Sequence, residues 1–166
     1  MDYPLSDQEM RYYLPHAAVM TYPQMAAAAH EGHTLDSLMG TDGVLILLYE
    51  IERRRGHWTA VFRRDAALEC FDSYGYVPDD ELSFVPSHYK KQSMQDHTWL
   101  LRLLKKSGCR VEYNGAELQK PSSGVSTCGR HCIARIAFRA MPIEAYVKMM
   151  GPHCDETVLR SVPNPF

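Results

Sequence analysis

The sequence predicts an α+β fold: one domain with a mixed, mainly antiparallel central sheet flanked by helices. Three observations carry that expectation. Segments 44–51, 57–63 and 67–71 are apolar or alternating, and the turns between them are short enough for consecutive antiparallel strands. Helical patterns stand before and after this block, at 7–14, 24–30, 35–39, 96–106 and 128–141. A chain of 166 residues with 45% hydrophobic and 23% charged content buries one sizeable core and is short for two, so residues 1–166 are read as a single domain.

Taken in order, Ser6 with Glu9 three residues later has the form of a capping box, which starts a helix at Asp7 that ends before Pro15. The alanine-rich stretch 24–30 follows Pro23, a residue suited to a first helical turn. Thr34 caps a third helix, 35–39, that closes at Gly40. Strands then follow at 44–51, 57–63 and 67–71, with Gly56 and Asp65 at the connections. The polar, proline-containing stretch 79–93 reads as a surface loop. Trp99, Leu100, Leu103 and Leu104 recur at helical period, Gly108 stops that helix, and a short strand follows at 109–113. The loop 115–127 leads into the helix 128–141, whose Cys132, Ile133, Ile136, Ala137 and Ala140 share one face. Arg130, Arg135 and Arg139 fall on or near the other face, which is expected to point outward. Pro142 ends that helix, and 143–150 forms one more.

Composition excludes several classes of function. A formal net charge of −2 leaves no basic footprint for nucleic acid. The run Arg53-Arg54-Arg55 is flanked by Glu50 and Glu52 and reads as a solvated turn between strands. No stretch reaches the roughly 18 to 20 apolar residues of a membrane span. The N-terminus shows no basic region followed by an apolar core, so the protein is expected inside the cell and not secreted. Five cysteines, an odd number, argue for free thiols over a disulfide framework.

Among these thiols Cys128 has the position of a nucleophile. It follows a flexible loop and opens a buried helix, where unpaired N–H groups and the helix dipole favour a thiolate. Gly129 lets a substrate backbone approach closely and leaves its N–H to donate. A lone buried cysteine is more often structural, so its company decides. His57, at the start of a strand, can take a proton from a thiol, and Asp72 ends the next strand, where a hairpin brings it back to His57. Asp72 could equally serve the Asp-Ser-Tyr-Gly turn. Gln119, nine residues before Cys128, offers an uncharged amide to an oxyanion.

Gly-His-Trp at 56–58, Phe-Asp-Ser-Tyr-Gly at 71–75, Gln119 and Thr-Cys-Gly at 127–129 stand together in a familiar order and spacing. In this the chain resembles the superfamily of the adenovirus maturation protease and the SUMO-deconjugating cysteine proteases, nearest to the compact proteases of large DNA viruses and virus-like transposons. The resemblance runs from about residue 44 to 138. It implies an adenain- or Ulp-like fold and a cysteine peptidase with His57 as base, Asp72 as its orienter, Gln119 in the oxyanion hole and Cys128 as nucleophile. It further implies cleavage of peptide or isopeptide bonds after a small residue such as glycine, in a narrow groove for which Trp58 is a candidate wall, with Gly129 beside it. The substrate would be a viral precursor or a ubiquitin-like conjugate, in the cytoplasm or nucleus of a host cell or inside virions. No cofactor or metal is implied. An activating peptide is conceivable, with Cys109 at the place where the adenovirus enzyme tethers one. Two departures stand out: the gap from Gln119 to Cys128 is longer than usual, and 142–166 matches no motif.

Other readings remain open at this level. Cys128, His131, Cys132, His153 and Cys154 could supply zinc ligands, although their spacing fits no common site. An acetyltransferase of the related His-acid-Cys effector type would use the same three side chains on a similar fold. A catalytically inert binding module is the third alternative.

Overall fold

Val44 to Glu50 is a run of seven consecutive buried residues, so its strand must be covered on both faces and lie in the middle of a sheet. In the computed structural model, which describes residues 3–122 and 124–166, this run forms most of strand β2 (Val44–Glu52). The chain order is α1 (Asp7–Tyr13), β1 (Ala18–Thr21), α2 (Tyr22–His30), α3 (Leu35–Leu38), β2, β3 (Arg55–Arg64) and β4 (Ala67–Phe71). A 3₁₀ turn (Asp80–Phe84), α4 (Ser87–Lys90), α5 (Trp99–Ser107), β5 (Arg110–Tyr113), α6 (Cys128–Ala137), α7 (Ile143–Met150) and α8 (Asp155–Ser161) complete it.

The five strands lie side by side in chain order; β2, β3 and β4 are antiparallel, while β1 is parallel to β2 and β5 to β4. The α+β architecture with a mixed sheet flanked by helices is therefore the one the sequence predicts. Strand alternation divides the core in two. Val44, Ile46, Leu48, Trp58, Ala60 and Phe62 face α1, α6 and α7. Leu45, Leu47, Tyr49, Val61 and Leu68 face α2, α3 and α5.

Local chemistry explains the element boundaries. Ser6–Glu9 and Thr21–Gln24 both form complete capping boxes, and Thr34 caps α3 through Ser37. Arg53 and Arg54 make the β2–β3 turn, Arg54 at φ 62°, as expected of the basic run. Gly56 sits inside β3, not in the connection. There the β2 ladder slips between Glu50 and Glu52, and a Cβ on Gly56 would lie 1.7 Å from the Tyr49 carbonyl oxygen. This close approach sets the register of the strand beyond it, with His57 opposite Tyr49. Among the described residues no helix is long and apolar enough to cross a membrane.

The structure corrects three expectations. Strand β1 and helix α8 are absent from the sequence reading, since four and seven residues carry too little periodicity to be recognised. Stretch 79–93 is not a plain surface loop. Asp79 is buried and accepts hydrogen bonds from the Tyr22 hydroxyl (3.0 Å), the Tyr49 hydroxyl (3.0 Å) and the Leu101 N–H (3.0 Å), tying this stretch to α2, β2 and α5. Asp79→Ala strands these buried donors and is expected to lower the unfolding free energy by about 2 kcal/mol in urea titration, with Asp79→Asn losing less. The basic face of α6 does not point outward: Arg130 and Arg135 are 2% and 0% exposed. Arg135 is paired with Glu69 of β4 and also donates to the Phe138 and Met141 carbonyls. Those two bonds help to close α6 at Ala137, four residues before the expected end.

Candidate active site

Three elements of different origin meet at the edge of the first core. His57 comes from the start of β3, Asp72 from the residue after β4, and Cys128 from the first turn of α6. The β3–β4 hairpin pairs Ala60 with Phe71, which leaves His57 and Asp72 facing each other beyond the end of the ladder. The Nε2 of His57 lies 2.9 Å from Oδ1 of Asp72. That carboxylate oxygen also accepts the Tyr74 N–H at 2.8 Å, so the turn role and the orienting role coincide. Asn114 clamps the same segment: its side chain accepts from the Asp72 N–H at 3.1 Å and donates to the Asp72 carbonyl at 2.7 Å. The Tyr74 ring stacks on His57 at 4.7 Å with planes 19° apart. Sequence reasoning misses Asn114, which does not stand out in its stretch, and gives Tyr74 only as part of the Phe-Asp-Ser-Tyr-Gly segment, without a role.

The Cys128 sulfur is near enough to His57 to raise the pKa of the imidazole. The same sulfur accepts the Trp58 N–H at 3.5 Å. Thr127 precedes Cys128 at the N-cap but makes no side-chain bond to the helix; its hydroxyl donates to Asp155 instead. The positive end of α6 is thus left for the sulfur and for whatever bonds beside it. Burial disfavours the charged form of His57, but the Asp72 carboxylate and the Cys128 sulfur outweigh it, and the imidazole stands well above its ordinary pKa.

Cys132, one turn along α6, has the opposite setting. It is fully buried, its thiol donates to the Trp58 carbonyl at 3.5 Å, and burial first, then the neighbouring Cys128, pushes its pKa well up. All five cysteines are unpaired, as the odd count implied.

The other expected site residues lie close by, in settings of their own. Gln119 is buried; its carbonyl accepts from the Ser73 hydroxyl at 2.6 Å, and its amide donates to the Tyr74 hydroxyl (3.3 Å) and the Val125 carbonyl (3.2 Å). It therefore stands beside the aromatic that stacks on His57. Trp58 is only 4% exposed and donates its indole N–H to the Leu5 carbonyl at 2.8 Å. It borders a pocket of about 350 Å³ shared with Leu5, Arg11, Thr21 and Leu48. At Gly129 a Cβ would meet Met10, Trp58 and Leu5 at 3.1–3.3 Å, so its missing side chain also serves the packing of α6 on α1 and β3.

Among the described residues, the one group of three or more His, Cys, Asp or Glu residues with ligand atoms within 4.8 Å of one another is His57, Asp72 and Glu81. The histidines and cysteines of a zinc reading are not gathered; His131 faces Asp155 at 3.1 Å. At the gathered group, the direct bond to Asp72 already takes the Nε2 that a cation would need. Glu81, from the 3₁₀ turn, places Oε1 3.6 Å from that Nε2 and is buried. No local signal marks Glu81, because it lies in a stretch that reads as solvated.

No family model matches the chain. Nearly its whole length is similar in fold to three solved structures. The pS273R protease of ASFV has a TM-score of 0.44 and 14% identity, over 96% of this chain and 67% of that one. The C-terminal Ulp1 protease domain, solved in complex with Smt3, the yeast ortholog of SUMO, gives 0.45 and 10%, over 96% and 74%. ChlaDub1 of Chlamydia trachomatis gives 0.42 and 14%, over 97% and 79%. At such scores and identities these likenesses say nothing of activity or substrate. The uncharacterized protein V9 of Sputnik virophage is 33% identical over 139 residues, which cover 83% of this chain and 77% of that protein. An identity of that level across most of both chains shows a common family, and this protein belongs to the family of the virophage V9 protein.

Proposed function

We propose that this protein is a cysteine peptidase in which Cys128 attacks a peptide or isopeptide carbonyl. The observation that carries the reading is the buried His57–Asp72 pair, bonded at 2.9 Å, beside a cysteine that opens a helix. The thiolate sulfur bonds to the carbonyl carbon, and the electron pair moves to the oxygen. As the oxyanion collapses, the C–N bond breaks and the His57 imidazolium gives its proton to the leaving amine. Water then attacks the thioester, His57 takes a proton from it, and the acid leaves as the thiol returns. Asp72 holds the imidazole in one tautomer throughout.

N–H groups of the first turn of α6 are the nearest candidates to bind the oxyanion. Gln119 can join them once its amide exchanges the Val125 carbonyl, 3.2 Å away, for the substrate oxygen. Cleavage after a small residue such as glycine, in a viral precursor or a ubiquitin-like conjugate inside the host cell, completes the proposal. A peptide-aldehyde or ubiquitin-like thiol probe tests it: the adduct is expected on Cys128 by peptide mapping. An adduct confined to Cys109 or Cys154, with Cys128 untouched, would overturn it.

A further inference from the structure

A second acid stands at the His57–Asp72 pair. Glu81 is brought there by the 3₁₀ turn Asp80–Phe84, which follows Pro78 and the left-handed Asp79. Its Oε1 is 3.6 Å from Nε2 of His57, and its carboxyl lies within 4.8 Å of that of Asp72. Both acids are more than nine-tenths hidden. Two buried carboxyl groups this close to each other are stable only if one carries a proton. Asp72 Oδ1 already accepts from His57 and from the Tyr74 N–H, whereas Oε1 of Glu81 has no hydrogen-bond partner, so the proton belongs on Glu81.

We propose that Glu81 is a positioning residue for the base: as the neutral acid it donates a hydrogen bond to Asp72 and holds that carboxylate against Nε2 of His57. The inference rests on the peptidase reading. Burial, reinforced by the Asp72 charge and opposed by His57, pushes the Glu81 acid up to about 8. Below that pH Glu81 is a donor; above it, a second negative charge stands 3.6 Å from Nε2 and keeps the imidazolium protonated. The titratable groups facing Glu81 are His57 from β3, Asp72 after β4, Asp80 on its own turn, Tyr74 from the following loop and Tyr49 from β2, with Cys128 of α6 reached through His57.

The test is the rate of Cys128 alkylation by iodoacetamide as a function of pH, read by mass spectrometry, with peptide turnover measured alongside. Wild type is expected to alkylate at a pH well below that of an ordinary thiol. Glu81→Ala is expected to raise the midpoint by about one pH unit, a tenfold lower thiolate fraction on the acid side. Glu81→Gln, whose amide still donates to Asp72, is expected to restore most of that shift. Having no ionisable group, the Gln variant should also lose the alkaline limb of turnover at a lower pH than wild type. A Gln variant no better than Ala, or midpoints of both variants equal to wild type, overturns the inference. Should the Ala variant not fold, the Gln profile decides: an alkaline limb identical to wild type overturns it, and so does a Gln variant that itself fails to fold. A wild-type Cys128 as sluggish as a free thiol sinks the peptidase reading and this inference with it, whereas a reactive wild type with indifferent variants sinks the inference alone.

Discussion

Cys128→Ala is expected to reduce peptide cleavage by at least about 10⁴-fold and to leave the melting temperature within a few degrees of wild type. Cys132→Ala is expected to keep most of the turnover and to lose about 1 kcal/mol of stability instead. The two thiols are one helical turn apart, and a single residue of β3 separates their chemistry. The Trp58 N–H donates to the Cys128 sulfur, which is thereby an acceptor, while the Trp58 carbonyl accepts from the Cys132 thiol and so favours its protonated form. Of the two, Cys128 is the one whose sulfur raises the pKa of His57 and that opens α6. Turnover that survives Cys128→Ala but is lost in a folded Cys132→Ala would mean that the wrong sulfur has been chosen. Kinetics on the two variants, with thermal melts to verify the fold, settle the matter.

Arg135→Met is expected to lower the unfolding free energy by about 3–5 kcal/mol, measured by denaturant titration. The Arg135 guanidinium bonds both oxygens of Glu69 at 2.8 Å, donates to two carbonyls at the end of α6, and lies against the rings of Phe62 and Tyr146. Removing it leaves the Glu69 carboxylate, 1% exposed, with only Arg64 at 3.6 Å in place of its bidentate partner. The double variant Arg135→Met/Glu69→Leu is expected to recover a large part of the loss, because the cost of the single change is a stranded charge and not a missing attraction. Additive losses in the double variant would show instead that the pair stabilises the fold outright. Since α6 carries Cys128 at its other end, this pair also fixes the helix that presents the sulfur to the sheet.

How far the sequence can be read depends on whether a signal is local. Capping at Ser6 and Thr34, the buried run of β2 and the hairpin that brings His57 to Asp72 involve near neighbours whose chemistry is complete within a few residues or one turn. The same holds for Cys128 at a helix start, where loop and helix adjoin. Strand β1 is not legible because four residues acquire a strand's identity only by pairing with Leu45–Leu48.

What the sequence by itself determined is the order of the longer strands and helices, the hairpin and the candidate residues His57, Asp72, Gln119 and Cys128. Only the tertiary structure decided that Glu81 joins the base, that the Gln119 amide is held by Tyr74 and Val125, and that two arginines of α6 turn inward. The physical reason is the same in each case. A charged or polar side chain goes inside only where a partner meets it, and the partner of Arg135 lies 66 residues away in the chain. Periodicity records the polarity of a residue, whereas burial of a charge depends on what the fold sets opposite it.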